Sequence, residues 1–264
     1  MATVKNIAEI MEGLAPLAGA MDWDNVGLLV GRKGAPVQKV LIALDVTEAV
    51  VQEAICEGVE LIVAHHPIIF KGITKVSDET RLGANLISLI ENHIAVYAAH
   101  TNLDVAEGGM NDMLCEKLGL TDAEPLIYND GGMAIGRRAR LATPVALKDL
   151  AAVVKMHLGL DAVRICGAAD TMVQDIAICA GAGAKYVYTK QVVAADCDVY
   201  ITSDIGYHDA QAALAEGLCM VDATHYASEV QAAETLKQKL DTALADTDVE
   251  VLVSQVNGQV FQTF

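Results

Sequence analysis

Two adjacent histidines follow an apolar run near residue 65. The run 61–64 predicts a buried strand, and His65 and His66 come directly after it, before Pro67. Neighbouring residues of a strand point to opposite faces, so one metal ion would normally receive only one of these imidazoles. Pro67 favours an extended backbone at His66. Two interpretations stay open: ligands for two neighbouring metal ions, or hydrogen-bonded histidines that close a strand.

A second polar segment begins at His100, just after the apolar run 95–98. Asp104 offers a hard oxygen ligand, and His100 offers a nitrogen ligand or a supporting hydrogen bond. Taken alone, an aspartate after a strand is more often a turn or cap residue. Asp104 could in that case simply order the turn at Gly108 and Gly109.

A third segment contains His225 and Glu229, which are four residues apart. At the start of a helix this spacing places both side chains on one face, a usual way to present two ligands together. The alternative is helix capping, with Thr224 or Ser228 as the cap and Glu229 favoured by the helix dipole.

The three segments together supply three imidazoles and two carboxylates. The residues are His65, His66, Asp104, His225 and Glu229. Mixed imidazole and carboxylate ligands suit Zn²⁺, Fe²⁺, Mn²⁺ or similar ions and not Ca²⁺. If the glutamate bridges, five residues could hold two divalent metal ions per subunit. Such a pair of ions can activate water for hydrolysis.

Apolar, β-branched runs alternate with helical stretches along the chain. This pattern predicts an α/β fold with mixed, mostly parallel sheets. The predicted strands are 40–43, 61–64, 95–98, 133–142, 163–166, 175–179, 199–202, 219–221 and 249–253. The predicted helices are 48–57, 77–92, 109–118, 146–158, 208–216 and 227–245. The polar segments follow strands or begin helices, and the carboxyl ends of strands are where open α/β sheets form sites.

A change of composition near residue 125 predicts two α/β domains. Residues 120–132 are rich in turn formers, including Pro125, Gly131 and Gly132. We assign residues 1–125 with about 226–264 to one domain, which carries most ligands, and residues 126–225 to the other. The metal site is expected in the cleft between them.

The composition excludes several classes of protein. The chain has 264 residues, a hydrophobic fraction of 53% and a net charge of −17. That apolar content argues against disorder, and no apolar run is long enough to cross a bilayer. The negative charge makes nucleic acid an unexpected partner. Six scattered cysteines and the lack of a visible signal peptide predict a protein of the reducing cytoplasm.

Five motifs, in order and spanning nearly the whole chain, carry a family resemblance. They are Asp22–Leu28, His65–Pro67, His100–Asp104, Thr202–His208 and Asp222–Glu229. The sequence resembles the NIF-three-like dinuclear-metal-centre family, whose members are often labelled GTP cyclohydrolase I type 2 homologues. The resemblance implies a two-domain α/β subunit in a ring-shaped homo-hexamer, a trimer of dimers, with a two-metal site.

The resemblance also implies how the ligands divide between the ions. His66 and Asp104 would bind one ion, His65 and His225 the other, and Glu229 would bridge both. The sequence departs from the family at Thr224, where glycine is usual before the ligand histidine.

Two functions follow as hypotheses. The first is a metal-dependent hydrolase acting on a small nucleotide-like or phosphorylated molecule, with His208 or His100 as proton carrier. The second is a non-catalytic, metal-binding scaffold, because the same ligands serve either role. The sequence contains no guanine-reading motif. We expect Trp23 to pack rather than stack on a base, and the turn 181–185 to be structural.

Overall fold

A computed structural model describes residues 1–263 of the chain, apart from the side chain of Tyr186, and these residues form two compact units. The first unit comprises Met1–Ala106 and Ala233–Gly258. The second comprises Glu107–Ala232 and the described residues from Gln259 on.

Helices and strands alternate along both units, as the sequence pattern predicts. The helices are α1 (Val4–Leu14), α2 (Glu48–Glu57), α3 (Arg81–Glu91), α4 (Thr101–Val105), α5 (Met110–Lys117), α6 (Leu147–His157), α7 (Tyr186–Ala194), α8 (Tyr207–Ala215), α9 (His225–Val230) and α10 (Ala232–Ala243). The strands are β1 (Gly27–Val30), β2 (Lys39–Ala43), β3 (Leu61–Ala64), β4 (Ala95–Ala98), β5 (Glu124–Pro125), β6 (Arg137–Ala146), β7 (Arg164–Cys166), β8 (Met172–Ile178), β9 (Val199–Thr202), β10 (Cys219–Asp222) and β11 (Glu250–Val253).

The sheet of the first unit has the strand order β1-β4-β3-β2-β11. The pairs β4–β3, β3–β2 and β2–β11 are parallel, and β1 runs antiparallel to β4. One face buries Leu41, Ile62 and Val96 in a core shared with Val50 of α2 and Leu89 of α3. Since β3 and β4 are parallel neighbours, the residues that follow them meet at the same edge of the sheet.

The sheet of the second unit has the order β5-β6-β8-β9-β10-β7. Its centre, β8–β9–β10, is parallel, and its outer pairs are antiparallel. Ile176 and Ile201 pack in a core with Leu147 and Val154 of α6. The predicted α/β class with mixed, mostly parallel sheets is confirmed by this topology.

The helix predicted for 48–57 forms with the end signals that its sequence carries. The Thr47 side chain accepts a hydrogen bond from the Val50 N–H, and Gly58 ends α2 with a left-handed backbone at φ 67°. Glycine takes this conformation without the steric cost that a side chain would add.

Two predicted helices differ from those observed. The helix predicted from residue 77 begins at Arg81, because the Thr80 side chain caps it by accepting from the Gly83 N–H. The single helix predicted over 227–245 is two helices, α9 and α10, with Gln231 between them.

Two helices were not predicted from the sequence. The helix α1 has a recognisable start, since Thr3 and Asn6 form a reciprocal capping box. The helix α4 has five residues, which is too short for an apolar period to show. The helix α7 begins directly after the turn 181–185, which the sequence places between a strand and a helix.

Candidate metal centre

Three imidazoles of the first unit lie together at the carboxyl ends of β3 and β4. The ring centroids of His65 and His66 are 5.0 Å apart, and those of His65 and His100 are 5.1 Å apart. One ligand nitrogen from each ring lies within 4.8 Å of the others. His65 and His66 follow the last residue of β3, so the strict alternation of a strand no longer separates them.

Each of these rings is held by a hydrogen bond from its Nδ1 atom. His65 donates to the carbonyl oxygen of Ala99 at 2.8 Å, His66 to Oδ1 of Asp45 at 2.8 Å, and His100 to Oδ1 of Asp24 at 2.9 Å. A carbonyl or ionised carboxylate can only accept, so Nδ1 carries the proton. The neutral imidazole therefore has its lone pair on Nε2, the arrangement found in metal-binding histidines.

Asp24 is the most strongly anchored of the supporting carboxylates. Its buried side chain accepts from His100, from the Thr101 N–H at 3.0 Å and from the Thr101 hydroxyl at 2.5 Å. Burial acts to raise the pKa of Asp24, but the hydrogen bonds from His100 and Thr101 outweigh it and lower that pKa to about 2. Asp24 is therefore ionised at neutral pH and fixes the orientation of His100.

Asp104 lies in α4 and faces the imidazoles. Its Oδ1 is 3.7 Å from Nε2 of His65, and its side chain is mostly buried. The resemblance implies that Asp104 and His66 share an ion, and this pairing stays a prediction. The turn into α4 is fixed by Asn102, which accepts from the His100 N–H at 2.9 Å and donates to the Ala15 carbonyl at 2.7 Å.

The second unit places His225 and Glu229 on one face of α9, as their spacing predicts. Nε2 of His225 is 3.1 Å from Oε2 of Glu229, and Nδ1 donates to Oδ2 of Asp204 at 2.9 Å. The Glu229 side chain is 5% exposed. The hydrogen bond to Glu229, aided by Asp204 and opposed by burial, raises the pKa of His225 to about 9. In the metal-free protein a proton thus joins this imidazole to the carboxylate.

A glycine turn packs tightly against this histidine–glutamate pair. A Cβ atom on Gly181 would overlap with Oε1 of Glu229 and lie 3.4 Å from Nε2 of His225. The Gly181 N–H donates to the hydroxyl of Ser228 at 3.1 Å, and that hydroxyl donates to the His225 carbonyl at 2.8 Å. Absence of a side chain at Gly181 is therefore what leaves room for the carboxylate.

Thr224 begins α9 with a backbone that explains why glycine is usual before the ligand histidine. Its φ is 57° and its ψ is 143°, a region that β-branched residues rarely occupy. The Thr224 N–H donates to Oδ1 of Asp222 at 3.0 Å, which holds the turn. The departure from the family thus places strain next to His225.

The donors of both units suit a divalent transition metal. Imidazole Nε2 atoms and carboxylate oxygens are preferred by Zn²⁺, Mn²⁺ and Fe²⁺. Four imidazoles, those of His65, His66, His100 and His225, each donate Nδ1–H to an oxygen. The clustering of three imidazoles in the first unit and the contact of His225 with the buried Glu229 favour metal ligands over histidines that merely close strands.

The sequence reasoning missed the carboxylates that orient the imidazoles. Asp45 was interpreted as a helix cap, and Asp24 and Asp204 entered only as motif residues. Their roles depend on contacts 21, 76 and 21 residues away along the chain, which spacing cannot reveal. His208 lies exposed in the first turn of α8, with its ring 5.3 Å from that of Tyr207.

The two mixed α/β units and their clustered, hydrogen-bonded imidazoles make this chain a candidate metal-binding protein. The family model Duf34/NIF3 (NGG1p interacting factor 3) matches residues 2–259. The chain therefore belongs to the DUF34/NIF3 family, and the resemblance inferred from the motifs is confirmed.

Similar proteins cover the chain almost completely. It is 35% identical over 259 residues to the GTP cyclohydrolase 1 type 2 homolog of Clostridium acetobutylicum, with 96% of each chain covered. It is 34% identical over 261 residues to the homolog of the same name from Streptococcus pneumoniae, with 97% of each covered. The crystal structure of a Bacillus cereus protein related to NIF3 superposes with a TM-score of 0.92 at 26% identity, covering 100% of this chain and 99% of that one.

No helix within residues 1–263 is both long enough and apolar enough to cross a membrane.

Proposed function

We propose that the protein binds two divalent metal ions and is a metal-dependent hydrolase. The observation that carries the proposal is the clustering of donors: ligand nitrogens of His65, His66 and His100 lie within 4.8 Å of one another, and Nε2 of His225 is 3.1 Å from Oε2 of Glu229. The ligands are His65, His66 and Asp104 of one unit and His225 and Glu229 of the other. Membership of the DUF34/NIF3 family supports joining them in one centre.

The division of these ligands follows the one that the resemblance implies. His66 and Asp104 would hold one ion, His65 and His225 would hold the other, and Glu229 would contact both. The ions, when bound, supply charge stabilisation and an activated water for hydrolysis.

The residues of the chain prepare the centre for that chemistry. Asp45, Asp24 and Asp204 hold the Nδ1 protons, so that the rings keep one orientation and the Nε2 lone pairs become more basic. Binding at His225 must displace the proton that it shares with Glu229. His100, anchored on Asp24, and the exposed His208 stay our predictions for proton transfer.

The proposed substrate is a small nucleotide-like or phosphorylated molecule. The names of the relatives, GTP cyclohydrolase 1 type 2 homolog, support this class without fixing the reaction. The net charge of −17 disfavours long polyanions.

The test is a screen of nucleotides and phosphoesters with metal-loaded protein. We expect metal-dependent turnover that His66→Ala abolishes and His157→Ala retains, because His157 is a half-buried histidine bonded to the Lys117 carbonyl, outside the imidazole cluster. Complete inertness of the metal-loaded protein would contradict the hydrolase and favour a non-catalytic scaffold.

We further propose a homo-hexamer, a trimer of dimers, in the cytoplasm. Family membership and the 53% hydrophobic fraction support subunit interfaces. Six free thiols among the described residues fit a reducing compartment. Light scattering should give a mass about six times the 27.9 kDa of one chain; a monomer would contradict the assembly, and recovery from a secreted fraction would contradict the location.

A further inference from the structure

Two exposed aromatic side chains lie beside the imidazole cluster of the first unit. Trp23 is 54% exposed and Phe70 is 45% exposed. Their ring centroids are 5.8 Å apart, and each ring is also close to His100, at 6.1 Å for Trp23 and 6.3 Å for Phe70. The three rings form a triangle in which His100 is the least exposed member. Trp23 and Phe70 are called the aromatic pair below.

The backbone that carries the aromatic pair is held in place by polar contacts. The segment around Trp23 is fixed at both ends to Thr101, whose hydroxyl accepts from the Met21 N–H at 3.0 Å and donates to Asp24. The Asn25 amide donates to the Ile69 carbonyl at 2.5 Å, which joins this segment to the one that carries Phe70. The two rings are thus presented side by side before any ligand arrives, which lowers the entropy cost of binding.

Exposure of both rings is not explained by packing. The sequence led us to expect Trp23 to pack, yet half of its surface stays open although the polar anchors fix its position. Large apolar side chains that remain exposed next to a polar cluster mark binding sites. Their open π-faces suit a flat, conjugated ring, which gains from stacking whatever its edge groups.

We infer that the aromatic pair binds the planar heteroaromatic ring of the substrate, such as a nucleobase, by stacking next to His100. This inference rests on the proposed function, because it describes the substrate of the same centre. It places the ring beside the imidazoles and leaves any phosphate of the substrate to the metal ions. Stacking on the aromatic pair would explain physically why the substrate is nucleotide-like.

Trp23 is the only tryptophan in the sequence, so its fluorescence reports directly on the aromatic pair. Metal-loaded protein is titrated with guanosine 5′-monophosphate and, separately, with ribose 5-phosphate. The nucleotide should quench Trp23 emission to saturation, and ribose 5-phosphate should not. Phe70→Ala should weaken nucleotide binding by about fivefold or more. The control Phe261→Ala, at a residue that is 80% exposed, should bind as the wild type does.

Three results would overturn the inference. They are an absence of saturable quenching by the nucleotide, equal quenching by ribose 5-phosphate, and wild-type affinity in Phe70→Ala. Shielding of Trp23 from acrylamide in the ligand-free protein would also overturn it, because a second copy of the chain would then cover the pair. Metal content is measured in the same samples. Protein that holds its ions but does not bind the nucleotide would contradict this inference alone. Protein that holds no ions would contradict the proposed function.

Discussion

The candidate centre is defined, at the scale of single residues, by what holds each imidazole. Residue type alone does not separate metal-binding histidines from histidines that only form structural hydrogen bonds. His65 and His66 are distinguished by their clustering with His100, and His225 by its contact with the buried Glu229. At His225 the hydrogen bond with Glu229 raises the pKa of the ring to about 9, so the carboxylate stabilises the protonated imidazole. A divalent ion can replace that proton at the same donors.

Gly181 provides a test of how closely Glu229 must be held. Gly181→Ala introduces a Cβ atom that overlaps with the carboxylate, so Glu229 must move. We expect zinc affinity, measured by calorimetric titration of metal-free protein, to fall by about tenfold or more. The folded fraction is checked by circular dichroism in the same samples.

The chain offers a matched control for this substitution. Gly159 has φ 63°, against 62° for Gly181, and a Cβ atom there would meet no atom within 4 Å. Both alanines therefore carry a similar backbone strain, of about 1 kcal/mol. Gly159→Ala should bind zinc like the wild type; equal losses in the two variants would show that strain, and not displacement of Glu229, is the cause.

At the scale of elements, the sequence predicted the strands that end at the candidate centre. The apolar runs 61–64 and 95–98 coincide with β3 and β4, because buried parallel strands are continuous in apolar residues. Residues after these strands were accordingly identified as ligand candidates. The sequence pattern could not predict tertiary contacts. The hydrogen bonds that join Asp24 to His100 and to Thr101 link residues 76 and 77 positions apart in the sequence. The exposure of Trp23 escaped prediction for the same reason.

Asp24 ties its loop to the start of α4, and that tie should depend on pH. The pKa of Asp24 is lowered from 3.8 to about 2, so ionised Asp24 stabilises the folded state above pH 4 and loses this effect as the pH falls to 2. We expect Asp24→Asn to lower the free energy of unfolding at pH 7 by about 2 kcal/mol. The difference from wild type should shrink between pH 4 and pH 2 in urea unfolding of the metal-free protein.

The neighbouring Asp22 is the control, since it is exposed. Asp22→Asn should change the free energy of unfolding by less than about 0.5 kcal/mol. A loss in Asp24→Asn that stays constant from pH 7 to pH 2 would contradict the role of its charge.

At the scale of the whole molecule, the family was predictable and the reaction was not. Motifs in a fixed order along the chain led to a family that the match over residues 2–259 confirms. Metal binding does not explain the net charge of −17, because only Asp104 and Glu229 among the acidic residues are proposed ligands. We interpret the surplus charge as a source of solubility for the hexamer that we propose.

The proposed ligands belong to two units, so the proposal makes metal binding a property of the folded whole. His65, His66 and Asp104 belong to the first unit, and His225 and Glu229 to the second. The proposal needs both sets, so losing one bridging carboxylate should affect both ions. That dependence separates a two-metal centre from two unrelated histidine clusters.

The metal content of the purified protein tests this central claim most directly. Elemental analysis of protein prepared without chelators should find about two first-row ions per chain. Glu229→Ala should lower the content of both ions, and Glu234→Ala, at an exposed glutamate of α10, should leave it unchanged. Wild-type protein without metal would contradict the proposed function, and a full complement of ions in Glu229→Ala would contradict the bridge.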